Sequence, residues 1–226
     1  MILILNNKAN LTLEEIKYYE KKLRKYNLIV LPTTCYLPLF QKGKYILGSQ
    51  DISEFVEENR TGEINGKQLQ SLNVKYCLIG HSERRIYNKE TNDTLLNKLI
   101  RCFENNIVPL YCIGESNNEN KELELKQDLD LILDNFKNKE IYIVYEPLNN
   151  IGNNKPNLDS LEVTINYIRK YIKVKTSKNI KLIYGGGVNN NNIENITNKK
   201  QLDGIIISTE SLKIDTLKNI YKKTRK

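Results

Sequence analysis

Apolar residues along the 226-residue chain fall into short unbroken runs, separated by longer stretches in which they recur every three or four positions. The runs cover residues 2–5, 28–31, 45–47, 74–79, 107–112, 141–145, 180–184 and 204–207. Continuous runs of this length predict strands covered on both faces, since a sheet with one wet face would alternate apolar and polar positions. Between them, residues 11–26 place Leu13, Ile16, Tyr19 and Leu23 on one side, and 93–105 do the same with Leu95, Leu96, Leu99, Ile100 and Phe103. Residues 122–136 carry Leu123, Leu125, Leu129, Leu131 and Leu133, and 158–171 carry Leu161, Val163, Ile165 and Ile168. These spacings predict amphipathic helices laid against a sheet.

Strand–helix alternation repeated eight times predicts an α/β chain with parallel strands, and eight units favour a closed (β/α)8 barrel over an open doubly wound sheet. The Asn- and Lys-rich stretches at 116–121 and 189–195 are short and lie between periodic segments, so they read as loops or helix starts and leave one domain, residues 1–226. In such a barrel the chemistry sits where strands end and βα loops begin. Asn6 and Lys8 follow the first run, His81 the fourth, Glu146 the sixth, Gly185, Gly186 and Gly187 the seventh, and Ser208 and Thr209 the eighth. An open sheet would have to gather these separated strand ends at a single switch point.

Basic residues number 35 against 27 acidic ones, a net charge of +8, which raises the question of a polyanionic partner. The lysines are spread over nearly every predicted helix and only residues 221–226 form a dense cluster. The charge therefore reads as a solvated surface that mildly attracts anions, with no nucleic-acid partner expected. Cys35, Cys77, Cys102 and Cys112 lack CxxC spacing and no secretory segment precedes them, so the expectation is reduced thiols, no metal and a cytoplasmic protein. Residues 1–5 are apolar but too short for a signal segment or a membrane span, and no membrane association is expected.

His81 is the chain's one histidine. An imidazole at a strand exit, followed at once by charged residues, is placed for acid–base work. Glu146, held before Pro147, supplies a carboxylate able to move a proton between adjacent carbons, while His81, Lys8 and Asn6 can meet the charge that then builds on substrate oxygens. Each residue alone has an ordinary reading: Lys8 as one of many surface lysines, Glu146 as the end of a strand before a proline, Asn6 as the cap of the next helix. Their joint placement at strand ends favours chemistry.

The segments Asn6-Asn7-Lys8, Gly80-His81-Ser82-Glu83-Arg84-Arg85, Cys112-Ile113-Gly114-Glu115, Tyr145-Glu146-Pro147 with Ile151-Gly152 and Lys155, Tyr184-Gly185-Gly186-Gly187-Val188, and Asp203-Gly204 with Ser211-Leu212-Lys213 resemble the triosephosphate isomerase family in order and approximate spacing. The resemblance implies an aldose–ketose isomerase that interconverts dihydroxyacetone phosphate and D-glyceraldehyde 3-phosphate through an enediolate, without a cofactor. It further implies that Glu146 is the base, that His81 acts as a neutral imidazole at a helix N-terminus, and that Lys8 and Asn6 contact substrate. In this family that tuning of the histidine is well known and is carried over by similarity. Ser82 would hold Glu146 in an open state and Glu83 would position Lys8. Gly152, Gly187, Ser208 and Thr209 would bind the phosphate, with a lid over 147–155 closing on it. Thr61-Gly62-Glu63 resembles the loop by which family members form homodimers.

Some positions depart from the family's pattern. Ser208-Thr209 stand where it usually has Gly-Gly, and a positive φ at either would cost roughly 1–2 kcal/mol. Glu210 brings a negative charge nearby, Gly187 stands for a common serine, and Asn7 replaces a tryptophan, removing packing rather than chemistry. Pro156 restricts the far hinge of the lid. The second unit, 32–43, is too terse for the usual helix. A catalytically impaired barrel, or an anion-binding protein that has lost efficient phosphate capture, is the alternative these departures leave open.

Overall fold

The computed structural model describes residues 1–116, 120–148 and 158–225. Eight parallel strands close into a barrel in chain order: β1 (Ile2–Asn6), β2 (Ile29–Leu31), β3 (Ile46–Ser49), β4 (Tyr76–Ile79), β5 (Val108–Ile113), β6 (Tyr142–Tyr145), β7 (Lys181–Tyr184) and β8 (Gly204–Ile207). Closure is made by β8 on β1, with Leu3 opposite Ile205 and Ile4 opposite Ile206. The helices outside are α1 (Leu13–Leu23), α2 (Gly66–Ser71), α3 (Ser82–Tyr87), α4 (Asn92–Glu104), α5 (Lys121–Phe136), α6 (Leu158–Lys175), α7 (Ile193–Thr197) and α8 (Ile214–Lys223).

Side chains alternate between two cores, as the two-residue period of a strand demands. Ile4, Ile29, Leu31, Leu78, Leu110, Cys112, Val144, Ile183 and Ile206 pack inside the barrel. Their neighbours Leu3, Leu5, Val30, Cys77, Ile79, Tyr111, Ile143, Leu182 and Ile205 pack outward with the helices. Burying each aliphatic side chain contributes roughly 1.5–3 kcal/mol, and both faces of seven strands take part, β3 adding only Leu47 to the outer core. The same alternation aims the functional groups. Asn6 continues the inward series Ile2, Ile4; Glu146 continues Tyr142, Val144; Ser208 continues Gly204, Ile206.

The helices differ from the sequence reading in detail. Ile16, Tyr19 and Leu23 of α1 are buried, but Leu13 is 45% exposed, because it opens the helix before the first full turn meets the barrel. Leu123 of α5 and Val163 of α6 are 55% and 70% exposed; the seated face of α5 is Leu125, Leu129, Ile132 and Leu133, and α6 buries the apolar residues Leu161, Ile165, Ile168 and Ile172. Positions 123 and 163 alternate with buried ones at a spacing of two, which a 3.6-residue period turns away from the face. After β2 the chain makes only the 3₁₀ turn Thr34–Leu39, which buries Leu37 and is followed by Phe40 stacked edge-on against Tyr45. The β2–β3 ladder is correspondingly short, pairing Ile29 with Ile46 and Val30 with Leu47. No helix among the described residues is long and apolar enough to cross a membrane.

Candidate active site

His81 caps the N-terminus of α3, where its Nδ1 accepts the Glu83 backbone N–H at 3.2 Å. A nitrogen that accepts carries no proton, so the imidazole is neutral and Nε2 bears the hydrogen. Nε2 lies 3.6 Å from Glu146 Oε2. Arg85 fixes the turn that presents His81: its guanidinium donates to the Gly80 carbonyl at 2.8 Å and the Cys112 carbonyl at 2.9 Å, and pairs with Asp128 at 3.0 Å. The β4 exit is thereby tied to β5 and α5.

Lys8 has φ +50, an uncommon value for a residue with a side chain. The local bonds explain how it is held there. The Asn6 side chain accepts the Lys8 N–H at 3.1 Å, while Thr33 Oγ1 and Gln50 Nε2 donate to the Lys8 carbonyl at 2.6 and 3.0 Å. Asn6 thus shapes a turn; the cap of α1 is Thr12, whose N–H and hydroxyl both donate to Glu15. The Lys8 ammonium meets Glu83 at 2.5 Å. Thr33 and Gln50 escaped the sequence reading, although both follow strand ends, where polar residues were the signal.

Glu146 is buried and its Oε2 has no hydrogen-bond partner among the described residues. Burial pushes its carboxyl above the usual range, and the neighbouring His81, Cys112 and Lys8 pull it back only in part. Gly185 makes room for it: a Cβ there would stand 2.8 Å from Glu146 Oε1. The carboxylate is directed at His81 and forms no bond to Ser82, which starts α3 nearby. The Cys112 thiol beside it is driven up by burial and by the carboxylate, so it stays protonated. Glu115, anchored by Tyr145 at 2.9 Å and Lys121 at 3.0 Å, accepts the Leu148 N–H with its carbonyl and so holds the first residues past Glu146.

Lys8, His81, Glu83 and Glu146 line one cavity of about 290 Å³ together with Gly185, Gly186, Gly187, Ser208, Thr209 and Glu210. Gly187 has φ +57, and its carbonyl accepts the Asn189 and Asn192 amides. Ser208 has φ −112, and neither it nor Thr209, which opens the 3₁₀ turn Thr209–Leu212, has a positive φ. The cost that a positive φ would have brought at these two positions does not arise. Glu210 faces Lys213 at 3.9 Å. Gly152 and most of the 147–155 segment, Lys155 included, lie outside the described residues, as does Pro156. Among the described residues no group of three His, Cys, Asp or Glu side chains is placed to hold a metal ion.

A basic group, a neutral imidazole and a desolvated carboxylate thus face a small cavity that Gly185, Gly186 and Gly187 also line, which suits proton transfer on an anionic substrate. The sequence of residues 1–224 matches the family model described as triosephosphate isomerase. It is 32% identical to the triosephosphate isomerase of Mesomycoplasma hyopneumoniae (strain 232), covering 93% of this chain and 94% of that protein. It is 31% identical to that of Buchnera aphidicola subsp. Cinara cedri, covering 92% and 87%, and 35% identical to that of Mesomycoplasma hyorhinis, covering 76% and 72%. By sequence, the chain belongs to the triosephosphate isomerase family.

Proposed function

We propose that this isomerase interconverts dihydroxyacetone phosphate and D-glyceraldehyde 3-phosphate with Glu146 as the base. The observation that carries the reading is the convergence of Lys8, His81 and Glu146 on the cavity that Gly187, Ser208 and Thr209 also line. The Glu146 carboxylate takes a proton from one carbon of the triose and returns it to the next, leaving an enediolate between the two steps. His81 Nε2–H and the Lys8 ammonium face the oxygens on which that negative charge gathers, and Asn6 holds the Lys8 turn and adds a polar contact. The phosphate takes main-chain N–H groups of Gly187, Ser208 and Thr209, with Gly152 closing over it from the lid. Ser82 serves Glu146 when the carboxylate swings out, and Glu83 steadies Lys8. No cofactor enters this scheme.

Turnover of purified protein in both directions tests it. Glu146→Asp withdraws the carboxylate by one methylene and is expected to lower kcat by about 100-fold or more, and His81→Gln by about 100-fold, with smaller changes in KM. Wild-type protein that fails to interconvert the two triose phosphates, with both variants indistinguishable from it, would refute the assignment.

The same reading includes a homodimer formed through the loop around Thr61. Support comes from the exposure of Thr61 and Gly62, the latter with no atom within 4 Å of a Cβ placed on it, and from the exposed apolar side chains Val56, Ile86 and Tyr87. Light scattering is expected to give the mass of two chains, and Thr61→Arg to give one. A cytoplasmic site of action fits Cys77, Cys102 and Cys112, which are buried and free.

A further inference from the structure

Tyr19 lies within α1, 2% exposed, and is not among the residues lining the catalytic cavity. Its hydroxyl accepts a hydrogen bond from Asn7 Nδ2 at 3.2 Å and donates one to the Ser211 carbonyl at 2.9 Å. Burial pushes the Tyr19 hydroxyl up to about 12, so at neutral pH it keeps the proton it gives to Ser211. The two ends of this buried chain adjoin the cavity at the loops that follow two neighbouring strands, β1 and β8. Asn7 immediately precedes Lys8, and its own N–H is fixed to the Leu31 carbonyl at 3.1 Å. Ser211, fully buried, sits in the 3₁₀ turn Thr209–Leu212 and returns its N–H to the Ser208 carbonyl at 2.9 Å, with its hydroxyl on the same oxygen.

Asn7 is itself 1% exposed, and its Oδ1 has no hydrogen-bond partner among the described residues. A buried amide with one unmatched atom is a poor source of stability, because the unmet acceptor is costly to bury. What a buried polar chain supplies is direction, since only one arrangement satisfies its remaining bonds. Here the arrangement fixes where the Lys8 turn stands relative to the eighth-strand loop, whose Ser208 and Thr209 carry side chains where the family usually has a glycine pair.

We propose that Asn7 and Tyr19 are positioning residues that set the spacing between the Lys8 ammonium and the main-chain N–H groups of Ser208 and Thr209, and so tune the cavity to a phosphorylated three-carbon substrate. The inference rests on the phosphate-binding reading of that cavity. Neither residue touches substrate; both act through the loops they join.

Tyr19→Phe removes one oxygen and keeps the ring, and Asn7→Leu removes the donor while leaving the Tyr19–Ser211 bond in place. Titration with inorganic phosphate and steady-state kinetics on the triose phosphates are measured for wild type, both single variants and the double variant. Tyr19→Phe is expected to weaken phosphate binding about five- to tenfold and raise KM by a like factor while kcat stays within about twofold, since the lost interaction bears on binding rather than on proton transfer. Because either change breaks one chain, the double variant is expected to be no weaker than Tyr19→Phe alone. Should Tyr19→Phe fail to fold, Asn7→Leu carries the same comparison with a smaller expected shift. Phosphate affinity and KM within twofold of wild type in every folded variant, or a fall confined to kcat, would overturn the inference alone. A wild-type protein that binds no phosphate overturns the functional reading with it.

Discussion

Burial drives the Glu146 carboxyl toward its neutral form, yet the reaction needs it charged. A carboxyl whose folded-state pKa is raised carries no penalty below its unfolded pKa, where both states are protonated; the penalty grows as pH rises from the unfolded to the folded pKa and is constant above it. Glu146→Gln is therefore expected to abolish turnover while raising Tm by a few degrees at pH 7–8, and the gain is expected to vanish below pH 4 in thermal melts across that range. In the wild type, kcat/KM should fall on the acid side at a pH above that of an ordinary glutamate, where the base takes up its proton. At this scale the sequence discloses residues whose chemistry is rare or whose neighbours are distinctive: a sole histidine, a glutamate before proline, a lysine two positions past an asparagine. Tyr19, Thr33 and Gln50 are not disclosed, because each acts by a hydrogen bond to main chain or to a residue distant in sequence, which leaves no local mark on the chain.

The eighth-strand loop and the β4 exit show how elements present these residues. Since neither Ser208 nor Thr209 has a positive φ, the double change Ser208→Gly with Thr209→Gly is expected to improve KM by less than about threefold and to cost roughly 0.5–1 kcal/mol of stability per glycine, read from kinetics and urea midpoints. That loop's conformation was not readable beforehand; the composition warned of strain, and only φ removes the warning. Arg85 was visible as part of a motif but not as a clamp. Arg85→Met leaves Asp128 and two carbonyls without their donor and is expected to cost about 2–3 kcal/mol by urea unfolding. Helix positions were legible wherever three- and four-residue spacing held, as at Ile16, Tyr19 and Leu23. They were misjudged at Leu13, Leu123 and Val163, where an apolar residue alone was taken as a sign of burial.

For the whole molecule, eight apolar runs were enough to indicate closure, because strands covered on both faces need an inner and an outer core, and a ring provides both without an edge. The two-residue period then carries Asn6, Glu146 and Ser208 to one mouth, a result of register rather than of any local motif. The second unit was legible as short, but its consequence was not. After β2 the chain makes a 3₁₀ turn in place of a helix, β2 and β3 pair at two positions, and Ile46 of β3 is 37% exposed. Segments with sparse burial open ahead of the rest of a fold. Thr33 and Gln50, which grip the Lys8 carbonyl, both sit just past the ends of these two strands. On gradual warming, the amides of residues 29–31 and 46–49 are expected to exchange with deuterium before those of β5 and β6. Catalytic output should fade several degrees before circular dichroism registers any melting, as the lysine loses its bearings while the remaining wall still stands.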